Sequence, residues 1–140
     1  MLYGSYDHSL DKKGRVSIPA KLRDELGNDF MICPSLYGKC LCVYSNDEWK
    51  HLVAKIGELP LSKSSGIKRV LYGSAFHVEL DAQGRILIPP VLREYAQLSA
   101  DVHIAGVDTS LEIWDAALWA EENGRYTPES IAQAMEELNF

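Results

Sequence analysis

The sequence predicts an α+β fold made from two copies of one small module. The segment LDKKGRVSIPAKLRDEL at Leu10–Leu26 returns 70 residues later as LDAQGRILIPPVLREYA at Leu80–Ala96. Around both segments, short apolar runs typical of strands alternate with stretches that have helical periodicity. The period exceeds the roughly 20–50 residues of a solenoid repeat. A half of this size is too small to bury a core alone, so we expect two half-modules to share one core.

Each copy is predicted to begin with a strand and a tight turn. Strands at Leu2–Leu10 and Val16–Ile18 are joined by Asp-Lys-Lys-Gly. Such a turn uses Asp to bind the backbone ahead of it and Gly to adopt positive φ. Pro19 suits the first turn of a short helix, where its missing N–H costs nothing. LYGS at Leu2–Ser5 recurs at Leu71–Ser74, which extends the repeat outward.

The remaining elements follow the same plan in both copies. In the first copy we expect strands at Phe30–Cys33 and Cys40–Tyr44, and a helix capped by Asp47 that runs to about Gly57. The polar stretch Ser62–Gly66, after Pro60, resembles a linker. In the second copy we expect strands at Val102–Ile104 and Leu111–Trp114 and a helix from Asp115.

The chain is predicted to be a single domain, 1–140, with repeats at 2–47 and 71–117. Thr127 and Pro128 supply a cap and an N1 proline for a last helix within 126–139. Ile131, Met135 and Leu138 form a narrow apolar seam along that helix.

Charge is distributed unevenly along the chain. The net charge is −6, and residues 112–140 carry all of it. Within the neutral remainder, Leu10–Arg23 has five cations against Asp11 alone, a local charge of +4. The odd cysteine count indicates a reducing cytoplasm. The chain has neither a signal-peptide pattern nor an apolar run of the roughly 20 residues that span a bilayer, so we expect no membrane partner.

The duplicated D-x-x-G-R turn is the main candidate site. Turn chemistry explains Asp and Gly, but nothing in a hairpin backbone requires the arginine that follows the glycine in both copies. A rigid guanidinium at an exposed turn suits phosphate or guanine recognition. An internal Asp–Arg ion pair that only pins the hairpin explains the pattern equally well. The motif residues are Asp11, Lys12, Lys13, Gly14 and Arg15, and then Asp81, Gly84 and Arg85.

Taken together, LDKKGRVSIPAKLR and LDAQGRILIPPVLREYAQL closely resemble the paired signatures of the MraZ family of bacterial transcriptional regulators, in the AbrB-like group of swapped-hairpin DNA-binding proteins. The resemblance extends over nearly the whole chain and includes EIWD at Glu112–Asp115. It implies one swapped-hairpin, double-split β-barrel formed by two pseudo-symmetric AbrB-like half-modules. It also implies that the motif residues above face double-stranded DNA.

The same resemblance implies a ring-shaped homo-oligomer, an octamer or a dodecamer, in the cytoplasm and associated with the nucleoid. It implies control of a promoter ahead of the division and cell-wall gene cluster, including the protein's own gene, through short direct DNA repeats. Because Ala82-Gln83 replaces Lys12-Lys13, the two copies should contact DNA unequally.

Other functions have weaker support in the sequence. Cys33, Cys40 and Cys42 lack a completed metal-ligand set and are interpreted as buried structural residues. Trp49 and Trp119 are expected to cover the ends of the barrel. No nucleophile–base pair or cofactor motif is present, so we expect no enzyme activity, cofactor, metal or small-molecule substrate. A protein-interaction module is the alternative, because the acidic C-terminal helix carries an apolar seam.

Overall fold

The protein was analysed as a computed structural model, which describes residues 1–139. It confirms an α+β fold. The first copy comprises β1 (Leu2–Ser9), β2 (Arg15–Ser17), α1 (Ala20–Leu26), β3 (Asp29–Pro34), β4 (Leu41–Tyr44), α2 (Asn46–Gly57) and α3 (Leu61–Gly73). The second comprises β5 (Phe76–Glu79), β6 (Arg85–Leu87), α4 (Pro90–Tyr95), β7 (Asp101–Asp108), β8 (Leu111–Asp115), α5 (Ala116–Asn123) and α6 (Pro128–Met135), followed by a 3₁₀ turn, Glu136–Leu138.

Three local expectations were wrong. Ser62–Gly66 is not a linker but lies inside α3, because its sequence contains no proline after Pro60 to interrupt a helix. The cap of α2 is Ser45, whose hydroxyl accepts from the Glu48 N–H at 3.2 Å, and not Asp47. The second LYGS ends α3, whereas the first lies in β1, so the second copy's first strand begins only at Phe76.

The strands of the two copies are interleaved. The large sheet has the order β1-β7-β8-β4-β3-β5, and every pairing in it is antiparallel. The counterparts in the two copies are β1 and β5, β3 and β7, and β4 and β8. Replacing each strand by its counterpart gives the same strand order, read from the opposite edge of the sheet. β2 and β6 form a separate two-stranded sheet, also across the copies. Hydrogen bonds among residues 1–139 therefore connect the strands into two sheets and not into one closed ring of paired strands.

A single core lies between the copies. Its fully buried residues come equally from both, including Ile18 and Phe30 of the first copy and Ile88 and Leu92 of the second. Because Ile18 N–H donates to the Gly84 carbonyl and Ile88 N–H to the Gly14 carbonyl, the backbones also interlock. A shared core of this kind cannot be divided without exposing both halves.

A second, smaller apolar cluster lies on the outer face of the sheet, under α2 and α3. It contains Cys33, Cys42, Ile56 and Leu71, with Trp49 packed against it. The expectation that Trp49 covers a barrel end was therefore wrong, because α3 folds over the tryptophan where a linker had been expected. All three cysteines are buried and free, as interpreted from the sequence.

Candidate nucleic-acid interface

The first D-x-x-G-R turn is organised around the carboxylate of Asp11. Its Oδ1 accepts hydrogen bonds from the backbone N–H of Lys13 at 2.9 Å and of Arg15 at 2.8 Å, and its Oδ2 accepts from Arg15 Nε at 2.7 Å. The Gly14 N–H closes the turn on the Asp11 carbonyl at 3.0 Å. Gly14 has φ +87°, a conformation that side-chain-bearing residues rarely adopt. The spacing of the motif is thus explained by one carboxylate that binds three donors.

The second turn repeats this geometry closely. Asp81 Oδ1 accepts from the N–H groups of Gln83 and Arg85, both at 2.9 Å, and its Oδ2 accepts from Arg85 Nε at 3.0 Å. Gly84 has φ +75°. The arginine is oriented identically in the two copies, so the repeated motif is a repeated structure.

These hydrogen bonds shift both carboxyl groups toward the ionised form. The Arg15 backbone N–H contributes most to lowering the pKa of Asp11 from 3.8 to about 2, assisted by the Arg15 side chain and the Lys13 N–H, while partial desolvation opposes the shift. The pKa of Asp81 is lowered, chiefly by the Arg85 backbone N–H. Both aspartates are therefore negatively charged at neutral pH and remain paired with their arginines.

The two turns lie side by side. β2 and β6 pair with Val16 opposite Ile86, residues that correspond in the repeat, so the pseudo-two-fold axis passes between the strands. Arg85 Nη1 comes within 3.9 Å of Asp11 Oδ2 in the other motif. The structure brings the predicted motif residues of both copies to one surface.

Two further arginines brace the turns, and the sequence-based site assignment did not include them. Arg23 Nε donates to the Ile18 carbonyl at 2.8 Å, and Arg93 Nε donates to the Ile88 carbonyl at 3.0 Å. Each guanidinium packs against the turn glycine of the opposite copy: a Cβ on Gly14 would lie 2.7 Å from Arg93 Cζ, and Arg23 packs similarly on Gly84. The sequence feature that could have indicated both arginines is their corresponding position in the two copies of the repeat.

The ion pair that the sequence left as an alternative is present in both copies. It occupies Nε, one of the five N–H donors of each arginine. The side chains of Arg15 and Arg85 are 32% and 27% exposed. An oriented, partly exposed guanidinium has donors left for an external acceptor, so the ion pair and ligand recognition are compatible.

The surroundings of the two arginines differ in charge. Lys12 and Lys13 are exposed at the first turn, whereas the second turn exposes Ala82 and Gln83. The asymmetry expected from the sequence is therefore present on the surface as well.

Two histidines outside the turns each contact one aspartate. Across residues 1–139, no three His, Cys, Asp or Glu side chains are grouped so as to hold a metal ion. His77 Nε2 contacts Asp29 Oδ2 at 2.6 Å, and His103 Nδ1 contacts Asp7 Oδ1 at 2.8 Å. Within the same residues, each helix is too short or too polar to cross a membrane.

Comparison with known proteins gives the same family throughout the chain. The family model described as "MraZ protein, putative antitoxin-like" matches residues 1–66 and 71–138. Proteins named Transcriptional regulator MraZ from Thermoanaerobacter sp. (strain X514) and from Acetivibrio thermocellus are each 46% identical over 144 residues, with full coverage of both chains. One from Caldanaerobacter subterraneus is 45% identical over 141 residues, covering 99% of this chain and 97% of the relative.

A solved structure, the solution structure of PHS018 from Pyrococcus horikoshii, has a TM-score of 0.35 at 14% identity, covering 81% of this chain and 88% of the other. A similarity of this size adds nothing to the description of the fold.

The fold and the paired turns define a tandemly duplicated α+β protein with two oriented Asp–Arg hairpins on one surface. The chain belongs to the MraZ family, which confirms the resemblance of its two motifs. The curated relatives carry the name of a transcriptional regulator and not of an enzyme class, and this confirms the expectation that the chain is not an enzyme.

Proposed function

We propose that this protein is a transcriptional regulator that binds double-stranded DNA through its two D-x-x-G-R turns. The observation that carries the proposal is the adjacency of two arginines, Arg15 and Arg85, each oriented by its own aspartate on one surface. Phosphate and guanine edges are the acceptors that a fixed guanidinium binds best. The names of the relatives support the same conclusion.

The first turn would contribute most of the affinity. Lys12, Lys13 and Arg15 form its cationic group, and each phosphate that such a group neutralises adds about one unit to the salt dependence of binding. The second turn has Arg85 without neighbouring lysines, so it would contribute mainly to orientation and specificity.

We propose further that binding requires a ring-shaped homo-oligomer on short direct repeats. A chain of net charge −6 with one small cationic turn binds DNA weakly by itself. Several turns held in one ring raise the affinity through effective concentration, without new contacts. The number of subunits, an octamer or a dodecamer, stays a prediction.

The remaining elements of the proposal come from the family resemblance. They are a cytoplasmic, nucleoid-associated protein and a promoter of the division and cell-wall gene cluster that includes its own gene. The swapped-hairpin barrel is proposed as the class of fold, and the interleaved strand order supports it.

The proposal is tested by a footprint on the DNA upstream of the protein's own gene, repeated across a salt series. We expect protection of regularly spaced short repeats and a steep loss of binding with salt. A protected region without repeats would contradict the multivalent mode, and an absence of protection at low salt would contradict DNA binding itself.

A second candidate function is a protein-interaction module. Its support is the apolar seam along α6 and the 3₁₀ turn that follows it, where Ile131, Met135 and Leu138 are 49%, 37% and 62% exposed. Truncation after Gly124 that removes a protein partner but leaves DNA binding intact would favour it. In the ring, the same helix would close contacts between subunits.

A further inference from the structure

The repeat also places two corresponding pockets on the outer face of the large sheet. One is lined by Cys42, Tyr44, Leu52 and Ile56. The other pocket is lined by the residues that correspond to these four in the second copy, 70 positions later: Glu112, Trp114, Glu122 and Tyr126. Cys42 and Glu112 are also direct cross-strand partners between β4 and β8, so the two pockets lie next to each other.

The first pocket is lined mainly by apolar residues. Besides α2, it is lined by α3, which contributes Ile67 and Leu71. No residue of α6 lines the second pocket, and every residue from Pro128 to Leu138 is exposed. The two pockets therefore differ in that a second helix lines only the first.

The second pocket also differs from the first in its chemistry. It has a volume of about 240 Å³. Trp114 is a buried wall, 7% exposed, and contacts Trp119 edge to face with 6.1 Å between ring centroids. The exposed Tyr37 and Tyr126 also line the pocket, as do two acidic residues, Glu112 and Glu122.

One of the two carboxylates is hydrogen-bonded to an aromatic side chain. Glu112 Oε1 accepts the indole N–H of Trp114 at 3.0 Å, which fixes this negative group beside the buried ring. No lysine or arginine of residues 1–139 lines the pocket. Lys39 and Arg125 line an adjoining pocket that shares Trp114 and Glu122 with this one. Arg125 pairs with Glu122 at 3.3 Å, but it is 66% exposed, and such a pair holds its partners weakly.

We propose that this pocket binds a compact organic cation, an ammonium or guanidinium group. Aromatic faces attract such cations through the ring quadrupole, and adjacent carboxylates neutralise their charge. A neutral apolar ligand would bury Glu112, whose one contact is the neutral indole N–H of Trp114, without an opposite charge. The cation is either a free amine or the Lys or Arg side chain of a second copy. None of the pocket residues belongs to the two turns, so the proposal does not depend on DNA binding.

The experiment uses choline as the probe, titrated into the full-length protein and followed by tryptophan fluorescence and calorimetry. The uncharged isostere 3,3-dimethyl-1-butanol is the matched ligand control. We expect saturable binding of choline alone. Glu112→Gln, which keeps an oxygen for the Trp114 N–H, should weaken binding by about tenfold or more. Glu129→Gln, the same charge change on exposed α6, should leave it unchanged.

Sedimentation at several protein concentrations distinguishes the two sources of the cation. If a second copy supplies it, choline and Glu112→Gln both reduce association; if a free amine supplies it, association is unaffected while choline still binds. Equal responses to choline and the neutral isostere, or unchanged choline binding in a folded Glu112→Gln variant, would overturn the proposal.

Discussion

The guanidinium of Arg93 lies over Gly14, so close that a Cβ on that glycine would be 2.7 Å from Arg93 Cζ. The two residues belong to different copies of the repeat. Gly14 is therefore constrained twice: its φ of +87° favours glycine, and the space above it is taken by an arginine from the other half. Arg23 and Gly84 make the reciprocal contact. The geometry of each turn depends on the presence of the other copy.

DNA binding should be lost most strongly on Arg15→Ala. The substitution removes a guanidinium oriented by Asp11 beside two lysines, so we expect a loss of about tenfold or more per site and a salt slope smaller by about one unit. Arg85→Ala should weaken binding less. Gel shifts across a salt series measure both effects.

Arg15→Lys is the matched control for this experiment, since it keeps the charge but loses the planar fork. If DNA recognition needs the planar guanidinium with its paired N–H donors, the lysine variant binds DNA nearly as poorly as the alanine variant at high salt. Sedimentation should show unchanged assembly in all three variants. Unaltered DNA affinity of Arg15→Ala would rule out the proposed role of this turn.

Gly84→Ala should destabilise the protein by about 1–3 kcal/mol, because φ is +75° and Arg23 occupies the position of the new methyl group. Gly66→Ala is the opposite case. Gly66 is exposed in the middle of α3 with open space around it, so alanine should stabilise by about 0.5–1 kcal/mol. Urea unfolding measures the free energy of unfolding of both variants. If both variants were less stable than the wild type, the predicted gain for Gly66→Ala would be contradicted.

Acid should weaken the first turn within a defined pH range. The pKa of Asp11 is lowered to about 2, below the roughly 3.9 of an unfolded aspartate. The stabilisation from its ionised form is therefore complete above about pH 4 and is lost as the pH falls toward 2. Titration of the Asp11 carboxyl group by NMR should give the low pKa. In the Asp11→Asn variant, the free energy of unfolding should depend less on pH in this range. A midpoint near 4 would show that the hydrogen bonds to Asp11 are absent in solution.

Truncating one core residue should unfold both copies together. Ile18 is fully buried, and Ile18→Ala should cost about 2–5 kcal/mol. Because the core is shared, hydrogen exchange followed by mass spectrometry should show β3 and β7 losing protection at the same urea concentration. Val91→Ala, at a position 51% exposed, is the control and should change stability by less than about 0.5 kcal/mol. Separate transitions for the two strands would mean independent half-modules.

The turns could be predicted from the sequence because their interactions are local. Asp11 reaches donors only two and four residues ahead, and Thr127 caps α6 through Ser130, three residues ahead. The error at Ser62–Gly66 has a different cause. Its polar composition resembles a linker, and it becomes helical where Ile67 and Leu71 of the same helix pack against the cluster under α2.

By itself, the sequence determined the duplication, the family and the two Asp-Gly-Arg turns, since each depends on residue types at short or regular spacing. Only the tertiary structure decided that the copies exchange strands, that Arg23 and Arg93 brace the turns of the opposite copy, and that a second helix lines only one of the two corresponding pockets. These features depend on contacts between residues far apart in the sequence, such as Arg23 with Gly84 and Leu2 with Asp108. No local spacing encodes such contacts, because they form only when the two halves pack around a common core.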